Sequence, residues 1–90
     1  MAFATEKKVV KIACVGNSIT YGARIVNRSQ NCYPSILQKM LGSEYDVENF
    51  GVSGSTCLSK GNKPYVKEKA YKKALDFNPD IVTIKLGTND

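Results

Sequence analysis

The sequence predicts an α/β fold built on a parallel sheet, and three observations carry that prediction. Short β-branched runs alternate with segments of helical periodicity, in the order strand, helix, strand, helix, strand. The first run is apolar nearly throughout, as in a strand buried on both faces. All three runs give way to a polar segment containing glycine.

Lys8 to Val15 is almost continuous Val, Ile, Ala and Cys, broken only by Lys11, and ends at Gly16. Gly16 to Asn31 reads as a polar loop with room for a short helix after Ser18. Tyr33, Ile36, Leu37, Met40 and Leu41 then recur on one helical face. Pro34 suits the first turn of that helix and Gly42 its stop. Tyr45 to Phe50 is the second strand, with Val47 and Phe50 its best apolar members. Gly51 to Pro64, rich in Gly, Ser, Asn and Lys, is a loop. Val66, Ala70, Tyr71, Ala74 and Leu75 mark a second amphipathic helix with Pro64 at its start. Asn78-Pro79-Asp80 ends it, because the residue before proline avoids helical geometry. Ile81 to Leu86 is the third strand. Such strands are expected to be joined by right-handed crossovers. Residues 1–7 read as a tail and 8–90 as part of one domain.

Ninety residues with 42% apolar and 23% charged side chains describe an ordinary globular domain. The net charge of +5 raises the question of nucleic acid. The lysines answer it by their placement. Lys7, Lys8 and Lys11 lie near the start, Lys60 and Lys63 in a loop, and Lys67, Lys69, Lys72 and Lys73 on the polar face of the second helix. That is a solvated helix face with no interleaved aromatics, so no nucleic-acid partner is expected. No apolar run approaches the roughly 20 residues of a membrane-spanning helix, and no membrane partner is expected either. Cys14, Cys32 and Cys57 are too few and too irregular for a disulfide scaffold or a zinc site. Ala2-Phe3-Ala4 has the small-x-small form read by signal peptidase, which points toward a periplasmic or secreted protein. No apolar segment precedes the triplet, and chance also produces such triplets. Nothing in the sequence sets the oligomeric state.

In open parallel sheets, ligands bind beyond the carboxyl ends of the strands. There the sequence places Gly16-Asn17-Ser18, Asn49-Phe50-Gly51 and Gly87-Thr88-Asn89-Asp90. Ser18, past a glycine turn and entering a helix, reads either as a helix cap or as a nucleophile facing the crevice. Acyl transfer also needs fixed donors where a carbonyl oxygen becomes an oxyanion. Gly51 could offer an unobstructed backbone N–H, and Asn89 a neutral amide. Turn formation is the ordinary alternative for both. No P-loop ending and no Gly-x-Gly-x-x-Gly follows the first strand, and acidic metal-binding pairs are missing from its end.

Taken together, these residues resemble the SGNH, or GDSL-like, hydrolase family. Gly16-Asn17-Ser18-Ile19-Thr20 resembles its first block, Asn49-Phe50-Gly51-Val52-Ser53-Gly54 its second, and Gly87-Thr88-Asn89-Asp90 its third. Tyr33-Pro34 before an Ile- and Leu-containing helix is similar to many members. The resemblance implies a flavodoxin-like three-layer sandwich with local strand order 2-1-3, the first strand central, and Ser18 as the nucleophile. The oxyanion would be held by the N–H groups of Ser18 and Gly51 and by the Asn89 side chain, with Asn17 and Asp90 in support. Asn17 replaces the usual aspartate, as in members resembling carbohydrate O-acetylesterases. The implied substrate is therefore a small-molecule ester, an acetylated carbohydrate, and the reaction uses no metal or cofactor.

One element of the family pattern is missing. Its Asp-x-x-His segment supplies the base, and this sequence contains no histidine. A triad without its base typically loses on the order of 10⁶ in turnover. The 90 residues alone are thus expected to be nearly inert, as the front part of a longer enzyme cut after the third strand. The alternative is a non-catalytic carbohydrate-binding or interaction domain that kept the fold and lost the histidine.

Overall fold

The computed structural model describes residues 9–57, 61 and 63–87. Three parallel strands form one sheet: β1 (Val10–Gly16), β2 (Tyr45–Gly51) and β3 (Ile81–Lys85), in the order β2-β1-β3. The first strand is central, as its apolar run requires, and Ala13 and Cys14 are fully buried. Registers run from Val10 opposite Tyr45 to Gly16 opposite Gly51, and from Ile12 opposite Ile81 to Gly16 opposite Lys85.

Helix α3 (Tyr33–Leu41) connects β1 to β2, and α4 (Lys69–Phe77) connects β2 to β3. Residues alternate between sheet faces along a strand. Cys14, Val47 and Asn49 therefore share the face covered by α3, where Val47 N–H donates to Gln38 Oε1 at 2.7 Å. Val15 and Phe50 share the other face, packed with Tyr65, Tyr71 and Ala74. The two crossovers travel in opposite directions across the sheet and lie on opposite faces, as connections of a single hand must. This gives the α/β layering expected.

Two segments depart from the expected elements. The segment from Gly16 to Asn31 holds the short helix foreseen after Ser18, α1 (Ser18–Tyr21), and a second that was not expected, α2 (Arg28–Asn31). Four residues carry no readable periodicity. Instead, α2 is held by tertiary bonds: Asn31 Nδ2 donates to Val26 O at 2.7 Å, and Ser35 Oγ to Ser29 O at 2.7 Å. The second departure is the start of the last helix. Pro64 opens a 3₁₀ turn, Tyr65–Lys67, and the extended Glu68 separates it from α4. The cause is Tyr65, which is only 3% exposed and whose hydroxyl donates to Phe50 O. That anchor pulls the first turn down onto the sheet, out of line with the helix that follows.

The junction into β3 is fixed by two hydrogen bonds between Lys11 and Asp80. Asp80 N–H donates to Lys11 O at 2.8 Å, while Lys11 N–H donates to Asp80 Oδ2 at 2.9 Å. Lys11 also places its ammonium 5.5 Å from the Phe77 ring centroid and donates to Phe77 O at 3.3 Å. Strand β3 itself is exposed along its whole length. Val66 and Leu75, expected to face inward, are also exposed, and with Val82, Ile84 and Leu86 they border an apolar cavity of about 410 Å³. No helix among the described residues is long and apolar enough to cross a membrane.

Gly51 sits where α1 crosses the end of β2. A Cβ there would overlap Tyr21 N and lie 2.8 Å from Tyr21 Cα. Neither is the flexible end of a side chain, so Gly51→Ala should destabilise the fold by about 1–3 kcal/mol, read as a lower urea midpoint. The Tyr65 phenol supplies a pH signature, since burial pushes it up to about 12. An unfolded tyrosine ionises near 10, so Tyr65's contribution is complete below roughly pH 10 and is lost as pH rises toward 12. Ultraviolet titration should show one tyrosinate appearing late, and Tyr65→Phe should remove it.

Candidate active site

Since all three strands are parallel, their carboxyl ends lie at one edge, and backbone bonds tie those ends together. Asn17 N–H donates to Lys85 O at 3.2 Å, and Val52 N–H to Gly16 O at 2.9 Å. Ser55, fully buried, also directs its hydroxyl to Gly16 O at 3.4 Å. The loops after β1 and β2 therefore hang on the last residue of the central strand.

The helix cap at this edge is Asn17, not Ser18. Asn17 is 1% exposed, and its Oδ1 accepts the Ile19 N–H at 3.2 Å. That is the usual work of an N-cap residue. Ser18 becomes the first residue of α1, half-buried at the sheet edge. Among the described residues nothing hydrogen-bonds its hydroxyl, and its N–H has no acceptor. Displacing the capping duty to Asn17 leaves both groups of Ser18 facing outward and available.

Gly51 is a correction of another kind. The backbone N–H expected to serve an oxyanion is donated to Asn49 Oδ1 at 2.8 Å, a side chain bonding its own backbone two residues on. Gly51 is required here for close approach of the Tyr21 backbone rather than as an open donor. Three residues further on, Gly54 takes φ +82 and is exposed, and among the described residues its N–H has no acceptor. Asn89 and Asp90 lie outside the described residues.

Several residues unremarked in the sequence hold α1 from below. Thr20 is fully buried, with its hydroxyl 3.0 Å from the Tyr33 hydroxyl and its carbonyl accepting from Asn49 Nδ2 at 2.8 Å. The same Asn49 nitrogen lies 3.5 Å from Cys32 Sγ, which in turn sits 3.2 Å from Ser35 Oγ. Burial raises the Cys32 thiol, but hydrogen bonds from Ser35 and Asn49 and the charge of Arg28 outweigh it, so the net shift is downward. Burial dominates at Cys14, which is shifted upward despite hydrogen bonds to Thr83 and Tyr33. Every buried side-chain nitrogen and oxygen among the described residues has a partner. The available signal was the position of Thr20 and Asn49 inside the first and second blocks, where polar residues adjoin buried strand ends.

Ser18 is thus a half-buried serine at the carboxyl edge of a parallel sheet, with a hydroxyl that is unengaged among the described residues. Comparison with known proteins identifies the family. The model of the GDSL-like lipase/acylhydrolase family matches residues 14–90, and the chain belongs to that family. Over 87 residues it is 53% identical to an acetylxylan esterase of Xylanibacter ruminicola. The match covers 97% of this chain but only 18% of that protein.

Asn49 joins β2, α1 and the start of α3 through one side chain. Asn49→Ala would leave Gly51 N–H and Thr20 O without their partner. A loss of about 2–4 kcal/mol is expected in urea unfolding, with Tyr33→Phe costing about 1 kcal/mol by comparison.

Proposed function

We propose that this chain carries the nucleophile and oxyanion donors of a serine esterase that removes acetyl groups from a carbohydrate. The observation supporting it most directly is the division of labour at the start of α1, where Asn17 caps the helix and Ser18 is left unengaged among the described residues. Family membership makes acyl-ester hydrolysis the natural chemistry. The similarity to an acetylxylan esterase points to acetylated sugar as substrate.

In this reading Ser18 Oγ gives up its proton to a general base and attacks the ester carbonyl. The carbonyl π electrons move onto oxygen, and fixed donors hold the resulting oxyanion. Ser18 N–H and the Asn89 amide are two of those donors. The third passes from Gly51 to Gly54, because the Gly51 N–H already serves Asn49. Asn17 supports by fixing the backbone of Ser18, and Asp90 by adjoining Asn89. Collapse expels the sugar hydroxyl, which takes a proton, and water then releases acetate from the acyl-serine. No histidine occurs among the 90 residues, so the base is not a histidine of this segment.

The test is hydrolysis of acetylated xylan by the complete polypeptide carrying these residues. Ser18→Ala should lower turnover by on the order of 10⁶, to the detection limit, with the fold intact by circular dichroism. The 90-residue chain alone should be nearly inert. Hydrolysis by Ser18→Ala at the unaltered rate would place the nucleophile elsewhere.

A further inference from the structure

We infer that the Tyr21 ring, clamped by Arg28, is the surface on which the sugar bearing the ester stacks. The inference rests on the esterase reading above and names the residue that selects the alcohol side of the substrate.

Tyr21 closes α1 three residues after Ser18, and side chains at that spacing are neighbours on a helix surface. Its backbone is immobilised: Tyr21 N–H donates to Asn17 O at 2.9 Å, and its Cα rests against Gly51. The residue as a whole, by contrast, stays 38% exposed. Arg28 holds it in place from α2. The guanidinium carbon lies 3.6 Å from the ring centroid, and Arg28 Nε donates to Tyr21 O. One aromatic face is thus covered and the ring's orientation set, in a partly exposed residue three positions along α1 from Ser18.

The cation–π pair contributes only about 0.5–1 kcal/mol at the surface, so its main consequence is that it fixes the ring. A pyranose ring offers a flat patch of C–H groups carrying slight positive charge, which an aromatic face attracts as it attracts other positive edges. A preorganised ring loses little freedom when such a sugar stacks. The side chain of Tyr21 can also be altered without touching the backbone seated on Gly51.

The experiment compares two esters on the complete polypeptide: an acetylated xylo-oligosaccharide and p-nitrophenyl acetate, which has no sugar. Tyr21→Ala should lower the ratio of kcat/KM values, oligosaccharide over p-nitrophenyl acetate, about tenfold, mainly through KM. Tyr21→Phe should restore the ratio, because the ring and not the hydroxyl makes the contact. An unchanged ratio, or an equal fall on both esters, overturns the inference and leaves the esterase reading standing. Absence of hydrolysis of either ester by the unaltered protein removes the esterase reading instead. Titration calorimetry with unacetylated xylo-oligosaccharide then decides: binding lost in Tyr21→Ala supports the stacking surface, and no binding, or binding retained, overturns it.

Discussion

The site hangs on the side chain of Asn49. Its Oδ1 accepts from Gly51 N–H, its Nδ2 donates to Thr20 O, and the same nitrogen approaches Cys32 Sγ. One amide therefore links the end of β2, the interior of α1 and the entry to α3. Helix α1 has only four residues and cannot be stable by its own hydrogen bonds, since nucleation alone is unfavourable. It exists because Asn17 caps it, Thr20 is buried beneath it and Asn49 holds its carbonyl. The geometry of Ser18 follows from those three polar contacts more than from apolar packing.

This arrangement explains why buried polar residues concentrate at one end of the sheet. Asn17, Thr20, Ser55 and Thr56 are all nearly inaccessible and lie at or beside the carboxyl edge. At the opposite end, Lys11 and Asp80 join β1 to β3 by backbone and charged contacts nearer the surface. A hydrogen-bonded interior is directional, which apolar packing is not, and an acyl-transfer site requires donors placed to within fractions of an ångström.

Much of the scaffold was legible in the sequence because it depends on pattern. The apolar run before Gly16 required a central strand, and the turn residues Pro34, Gly42 and Pro79 punctuated the elements where the structure has them. The convergence of the loops after β1 and β2 followed from parallel order alone. What escaped was set by single dihedral angles and side-chain directions. Whether Asn17 or Ser18 capped α1 turns on one residue's backbone conformation. The engagement of Gly51 N–H depends on which way the Asn49 amide turns, and α2 on contacts made by Asn31 and Ser35 rather than on periodicity. The break at Glu68 reflects the burial of Tyr65, which competes with helical continuity after Pro64.

Helix α1 divides its residues by face. Asn17 and Thr20 are locked into the interior, while Ile19 and Tyr21 are exposed at 51% and 38%. Substitutions on the inner set disturb the position of Ser18, whereas those on the outer set leave its anchors untouched. Outward-facing positions of such a scaffold are free to vary while the polar contacts that seat Ser18 are kept.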